Sequence, residues 1–142
     1  MVSVFDVASY ILQKQGPMTT MKLQKLVYYC QAWSLVWNEE PLFPETIKAW
    51  ANGPVVPDLY WAHKGRFVIA PGEITGDPSS LSKANREACD SVLAFYGNHS
   101  SQWLSELTHL EDPWREARLG TPFNDRSPEI THASMAEYYA SL

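Results

Sequence analysis

Apolar residues recur every three or four positions through most of the chain, the period of helices with one buried face. Val4, Val7, Ala8, Ile11 and Leu12 form the first stripe. Ser3 precedes it with Asp6 three residues on, the spacing of a capping box. Gly16-Pro17 ends it. Thr20 opens the strongest helical pattern, over residues 21–38, with Leu23, Leu26, Val27, Cys30, Trp33 or Ser34, and Trp37 on one stripe. At 1.5 Å per residue this helix is about 27 Å long and is expected to be central. Lys22, Gln24 and Lys25 fall off its stripe.

The period then changes. Pro41 and Pro44 bracket Leu42-Phe43. Thr46 to Trp50 reads as a short strand, with Ile47 and Ala49 on one side and Lys48 on the other. Ala51-Asn52-Gly53-Pro54 signals a turn, and Val55-Val56 follows. Pro57 suits the first turn of a short helix through Asp58, Leu59, Tyr60, Trp61 and His63, ended by Gly65. Arg66 to Ile69 reads as a second short strand, before a Pro-, Gly- and Asp-rich loop from Pro71 to Ser80.

Helical spacing returns in the second half. Ser82 caps a helix with Ala88, Val92, Phe95 and Tyr96 inward and Gly97 as its stop. Ser100 or Ser101 starts another, with Trp103, Leu104, Leu107 and Leu110. Asp112-Pro113 pairs a cap with a first turn, leading through Trp114 and Ala117 to Gly120. Thr131 caps a last helix holding Met135, Tyr138 and Tyr139. The sum is a mainly α fold, or α+β with a small, short-stranded β element: one compact domain over residues 1–142 around the helix at about 20–38.

Composition narrows the function. The 142 residues suit one domain, and 45% apolar residues exclude disorder as the main state. Charged residues are only 19% against 13% aromatics, which points to a well-filled core or a sticky surface. The net charge of -5 makes nucleic acid an unexpected partner. Residues 1–70 carry a net +1 and residues 71–142 a net -6, so the acidic half suits a basic protein partner. Two cysteines, Cys30 and Cys89, form no disulfide framework. The N-terminus lacks the pattern of a signal peptide, and apolar runs reach about four residues against the roughly 20 of a membrane span. The expected home is the cytoplasm.

No phosphate-binding loop, zinc-protease motif or hydrolase elbow occurs. His63, His99, His109 and His132 never fall at the three- or four-residue spacing that shares a helix face. His109, Glu111 and Asp112 read as a capping, solvent-facing cluster rather than an acid–base or metal site. Cys30, on the apolar stripe, reads as a buried hydrophobe. Trp33 and Trp37 read as core. Tyr28 and Tyr29 are adjacent, so one is expected to be partly exposed. The segment from Trp50 to Pro57 reads as a rigid corner, able to serve as a preformed binding edge because rigidity limits the ordering cost of association.

These blocks also carry a family likeness. The run Lys22-Leu23-Gln24-Lys25-Leu26-Val27-Tyr28-Tyr29-Cys30-Gln31-Ala32-Trp33 resembles the opening signature of the Panacea domain, the antitoxin domain of SocA-like proteolytic adaptors and phage-associated GepA-like proteins. Pro41-Leu42-Phe43, Ile47-Lys48-Ala49-Trp50 and Gly53 to Tyr60 look like its second block. Leu104-Ser105 through Thr108-His109 to Pro113-Trp114 looks like its third. The likeness spans about residues 20–116. On it, Leu23, Leu26, Trp33, Gly53, Pro54, Pro57, Pro113 and Trp114 mark the structural motif.

The resemblance implies an antitoxin, bacterial or phage-borne, that neutralises a cognate toxin by direct binding. Such toxins often block translation. The SocA-like branch implies an alternative, an adaptor that delivers a partner to a cellular protease. With about 20 residues before the signature, no separate DNA-binding module is expected. The expectation is a non-enzymatic protein without metal or cofactor, with homo-oligomerisation open; a hydrolase or transferase using Tyr60, His63, His109 and Asp112 is the less favoured alternative. From off-stripe position and the rigid corner, the contact candidates are Lys22, Lys25, Tyr29, Trp50, Val55, Tyr60 and His63.

Overall fold

The computed structural model describes residues 2–142. Among them, seven α-helices and five short strands follow in the order α1 (Val4–Gln15), β1 (Met18–Thr19), α2 (Thr20–Trp37), β2 (Ile47–Trp50), β3 (Gly53–Val55), α3 (Pro57–His63), β4 (Val68–Ile69), α4 (Lys83–Tyr96), α5 (Ser101–Leu110), α6 (Asp112–Arg118), β5 (Glu129–Ile130) and α7 (His132–Ala140). The mainly helical expectation is met. The caps explain where the helices begin. Ser3 and Asp6 close a capping box at α1, and Ser82 closes another with Asn85 at α4. Ser100 accepts from the Trp103 N–H and Thr131 from the Ser134 N–H, each satisfying a backbone donor the helix leaves unpaired. At α2 the cap is Thr19, accepting from the Lys22 N–H. Thr20 is the first helical residue, and its hydroxyl donates to the Arg66 carbonyl.

Helix α2 is the axis of the molecule. It packs against α1, α4, α5, α7 and β3, and ten consecutive residues, Leu23–Ala32, are buried. A helix enclosed on all sides has no outward face, so the one-stripe expectation fails for Gln24 and Lys25. Tyr28 and Tyr29 are both buried, against the expectation that one is exposed, because Tyr139 of α7 packs on both rings and Tyr96 of α4 stacks on Tyr29. Trp37, expected in the core, is 48% exposed in the last turn and stacks on half-buried Trp33 at 4.9 Å. Phe95 also points outward. The inner face of α4 is Ala88, Cys89, Val92, Leu93 and Tyr96, and Phe95 sits at the edge of that face in the last turn, 65% exposed. Leu110 is likewise exposed at the end of α5.

Strands β2 and β3 form an antiparallel hairpin joined by the two-residue turn Ala51-Asn52, with Trp50 opposite Gly53. Alternation holds along β2, where Ile47 and Ala49 are buried. Strand β5 adds to its other edge, with Ile47 opposite Ile130, giving the sheet order β3-β2-β5. Separately, β1 pairs with β4. Helix α6 anchors this sheet: Trp114 Nε1 donates to the Trp50 carbonyl at 2.8 Å, and Arg118 donates to the Ala49 carbonyl at 3.0 Å. Pro113 lies in the first turn of α6, as expected. The preceding Glu111, not Asp112, holds the cap position, and its side chain makes no capping bond.

Candidate functional site

The site is built where the hairpin meets the first half of α2. Gly53 has φ +126°, a conformation open to glycine, and its missing side chain makes room for another. A Cβ there would stand 2.6 Å from Lys25 Cε and 3.2 Å from Thr108 Oγ1. Lys25 therefore lies across the hairpin backbone, and its Nζ donates to the Pro54 carbonyl at 3.1 Å. That is its one hydrogen bond among the described residues, and no carboxylate reaches it. Burial holds its pKa down at about 8.

The preceding residue, Gln24, clamps the next segment. Its Oε1 accepts from the Val56 N–H at 2.9 Å, which fixes the orientation of the amide. Its Nε2 then donates to the Val56 carbonyl at 3.3 Å and faces His63 Nε2 at 3.0 Å. Because the amide nitrogen carries only donors, His63 Nε2 must accept, so the imidazole is neutral and protonated on Nδ1. Burial, opposed by a backbone hydrogen bond and aided by the nearby Lys25 charge, keeps the His63 pKa below its ordinary value.

Between α2, the hairpin, α3 and the segment before β5 lies a cavity of about 550 Å³. Lys25, Gln24 and Thr20 form its α2 wall. Trp50, Ala51, Asn52 and Val55 come from the hairpin and Tyr60 and His63 from α3. Phe123, Asn124 and Arg126 close the far side, with Met21 at the rim. Among the described residues, no Asp or Glu lines it. The Arg126 guanidinium lies 4.0 Å from the Trp50 ring centroid and 5.9 Å from that of Tyr60. Trp50 packs edge-on against Tyr60, and its buried indole N–H has no partner among the described residues. The cavity is thus cationic and aromatic in an acidic chain.

Five of the seven expected contact residues, Lys25, Trp50, Val55, Tyr60 and His63, line this one cavity. Lys25, expected on an outer face, reaches it from a fully buried position. Lys22 is half-buried in the first turn of α2, outside the lining. Tyr29 belongs elsewhere. Its hydroxyl donates to Glu111 Oε1 at 2.7 Å, and Tyr139 donates to the same oxygen at 2.8 Å. Glu111 is therefore buried, not solvent-facing as expected, and burial raises its pKa despite both phenols. Tyr28 joins the network through the Tyr139 hydroxyl at 3.0 Å. His109 stacks on Trp114 at 4.0 Å. Sequence reasoning missed Gln24, Phe123, Asn124 and Arg126 as cavity residues. No local pattern connects residues 24 and 126; the pairing of β5 with β2, and Arg118 bridging the Ala49 carbonyl to those of Pro122 and Asp125, bring them together.

Neither thiol is exposed: Cys30 and Cys89 are buried, and the hydrogen bond to Cys89, together with burial, pushes the Cys30 thiol pKa up. Among the described residues, no group of three His, Cys, Asp or Glu side chains gathers as metal ligands, and no helix is long and apolar enough to cross a membrane. In comparison with known proteins, the sequence profile described as antitoxin SocA-like, Panacea domain, matches residues 23–115. That stretch runs from α2 through α6 and holds the α2, hairpin and α3 walls of the cavity from Gln24 to His63. No curated protein and no solved structure matches the chain.

Proposed function

The chain belongs to the SocA-like, Panacea-domain antitoxin family, and from that premise we propose that it neutralises a cognate protein toxin by binding it directly, without catalysis. The family match carries this reading, and the surface supports it. Met21 and Phe123 stand exposed at the cavity rim, and Trp61 follows Tyr60 on α3 with 67% of its surface exposed. Phe67, 77% exposed, is tied by its carbonyl to the Thr20 N–H at the cavity wall. Large apolar side chains in such a grouping mark interaction surfaces. The rigid hairpin beneath them lowers the ordering cost of binding.

The test is a growth assay with the open reading frame beside this one, expressed alone and with this chain. Arrest by the neighbour alone, rescue by co-expression and co-purification of the pair are the expected results. Rescue with rapid loss of the neighbour's product in a chase would assign the adaptor role instead. Arrest that persists on co-expression of the folded chain would overturn neutralisation of that partner.

A further inference from the structure

We propose that the cavity beside Lys25 is a binding site for an oxyanion, a carboxylate or phosphate carried on a flat apolar body. The inference rests on the cavity alone and goes beyond neutralisation. Its volume of about 550 Å³ lies in the range of small-ligand sites. A charged ammonium is seldom buried without a counter-charge, because desolvation is costly. Lys25 is buried with one carbonyl partner, which leaves two of its three donors unused among the described residues. His63 lies near Lys25 from α3 and His109 from α5, and Arg126 lines the far side of the cavity; among the described residues, Tyr60 is the one acidic group in the lining, and no carboxylate is there to balance the ammonium. Arg126 also makes no ion pair or hydrogen bond among the described residues while its flat face rests on Trp50. Its donor edges remain free. The Trp50 N–H is a further unpartnered donor in the same wall. An oxyanion would answer these unused donors and supply the missing charge. Trp50 and Tyr60 would flank its apolar body.

The probes are benzoate and phenyl phosphate, with benzyl alcohol and benzylamine as neutral and cationic controls. Binding is read on the chain alone by NMR from the Trp50 indole and His63 ring signals. The expected result is saturable binding of one or both anions with Kd about 1 mM or tighter. Lys25→Met and Arg126→Gln should each weaken it by about tenfold. Arg126 is exposed, so its variant does not threaten the fold. A free ligand would appear as an anion released from the natively purified chain on denaturation and detected by mass spectrometry. An acidic group from the partner would instead show as displacement of benzoate when the complex forms. Either would support the site. Absence of saturable binding by both anions in the millimolar range, or benzyl alcohol binding as tightly as benzoate, would overturn it.

Discussion

At the scale of single residues, Lys25 departs furthest from what its neighbours in the sequence suggest. Folding moves its pKa from an ordinary 10.5 to about 8, which disfavours the ammonium by about 3 kcal/mol. The sign follows from proton binding: between those two values the unfolded chain holds more protons on this side chain than the folded one, so its contribution to stability improves as pH rises. Lys25→Met, similar in length and uncharged, should therefore stabilise the fold at pH 7, by less than that ~3 kcal/mol because the buried Pro54 carbonyl loses its donor. Its advantage over the parent should shrink by about 2 kcal/mol between pH 7 and pH 9.5 in parallel denaturant titrations. Comparing the two proteins cancels the opposing titration of Cys30 and the tyrosines. A gap unchanged with pH would contradict a charged, uncompensated Lys25. Its type was readable in the sequence, but its burial was not, because the helical stripe placed it outside.

At the scale of elements, α2 works as a polar scaffold as much as an apolar one. Gln31 accepts from the Leu42 N–H at 2.7 Å and donates to the Phe43 carbonyl at 2.8 Å. Gln24, seven residues earlier and so on the same face, does the same for Val56. Irregular backbone thus lies buried against the helix with its hydrogen bonds satisfied. One turn further along, Tyr28 and Tyr29, four residues after Gln24 and Lys25, join Tyr139 and Glu111 in a network that ties α2, α7 and the α5–α6 junction together. Tyr139→Phe should cost about 1–3 kcal/mol in chemical denaturation, since it deprives buried Glu111 of a donor and Tyr28 of a partner. A cost near zero would mean the phenol is dispensable. The helices and four of their caps were legible because Ser3, Ser82, Ser100 and Thr131 signal locally, whereas the caps of α2 and α6 fall one residue before those expected. Strands β1 and β5, of two residues each, were not: no period can show in two residues, and their pairing partners lie far along the chain.

At the scale of the whole molecule, net charge misleads about the cavity. The chain carries -5, yet the one cavity wall shared by α2, the hairpin, α3 and the β5 approach is basic. The exposed apolar side chains near it separate binding from stability. Trp61→Ala and Phe123→Ala should each change stability by no more than about 0.5 kcal/mol, as surface changes usually do. Together they should weaken growth rescue and co-purification with the neighbour's product. Full rescue by the folded double variant would place the toxin contact elsewhere. The helical class, the central helix, most of the caps, the hairpin turn and the family likeness all follow from local signals: periodicity, capping residues, glycine and proline, and short motif blocks. The enclosure of α2, the depth of Lys25 and the meeting of Gln24 with Arg126 do not. They arise from packing between residues far apart in the chain, where burial depends on what covers a side chain, and neither its own type nor its neighbours in sequence encode that.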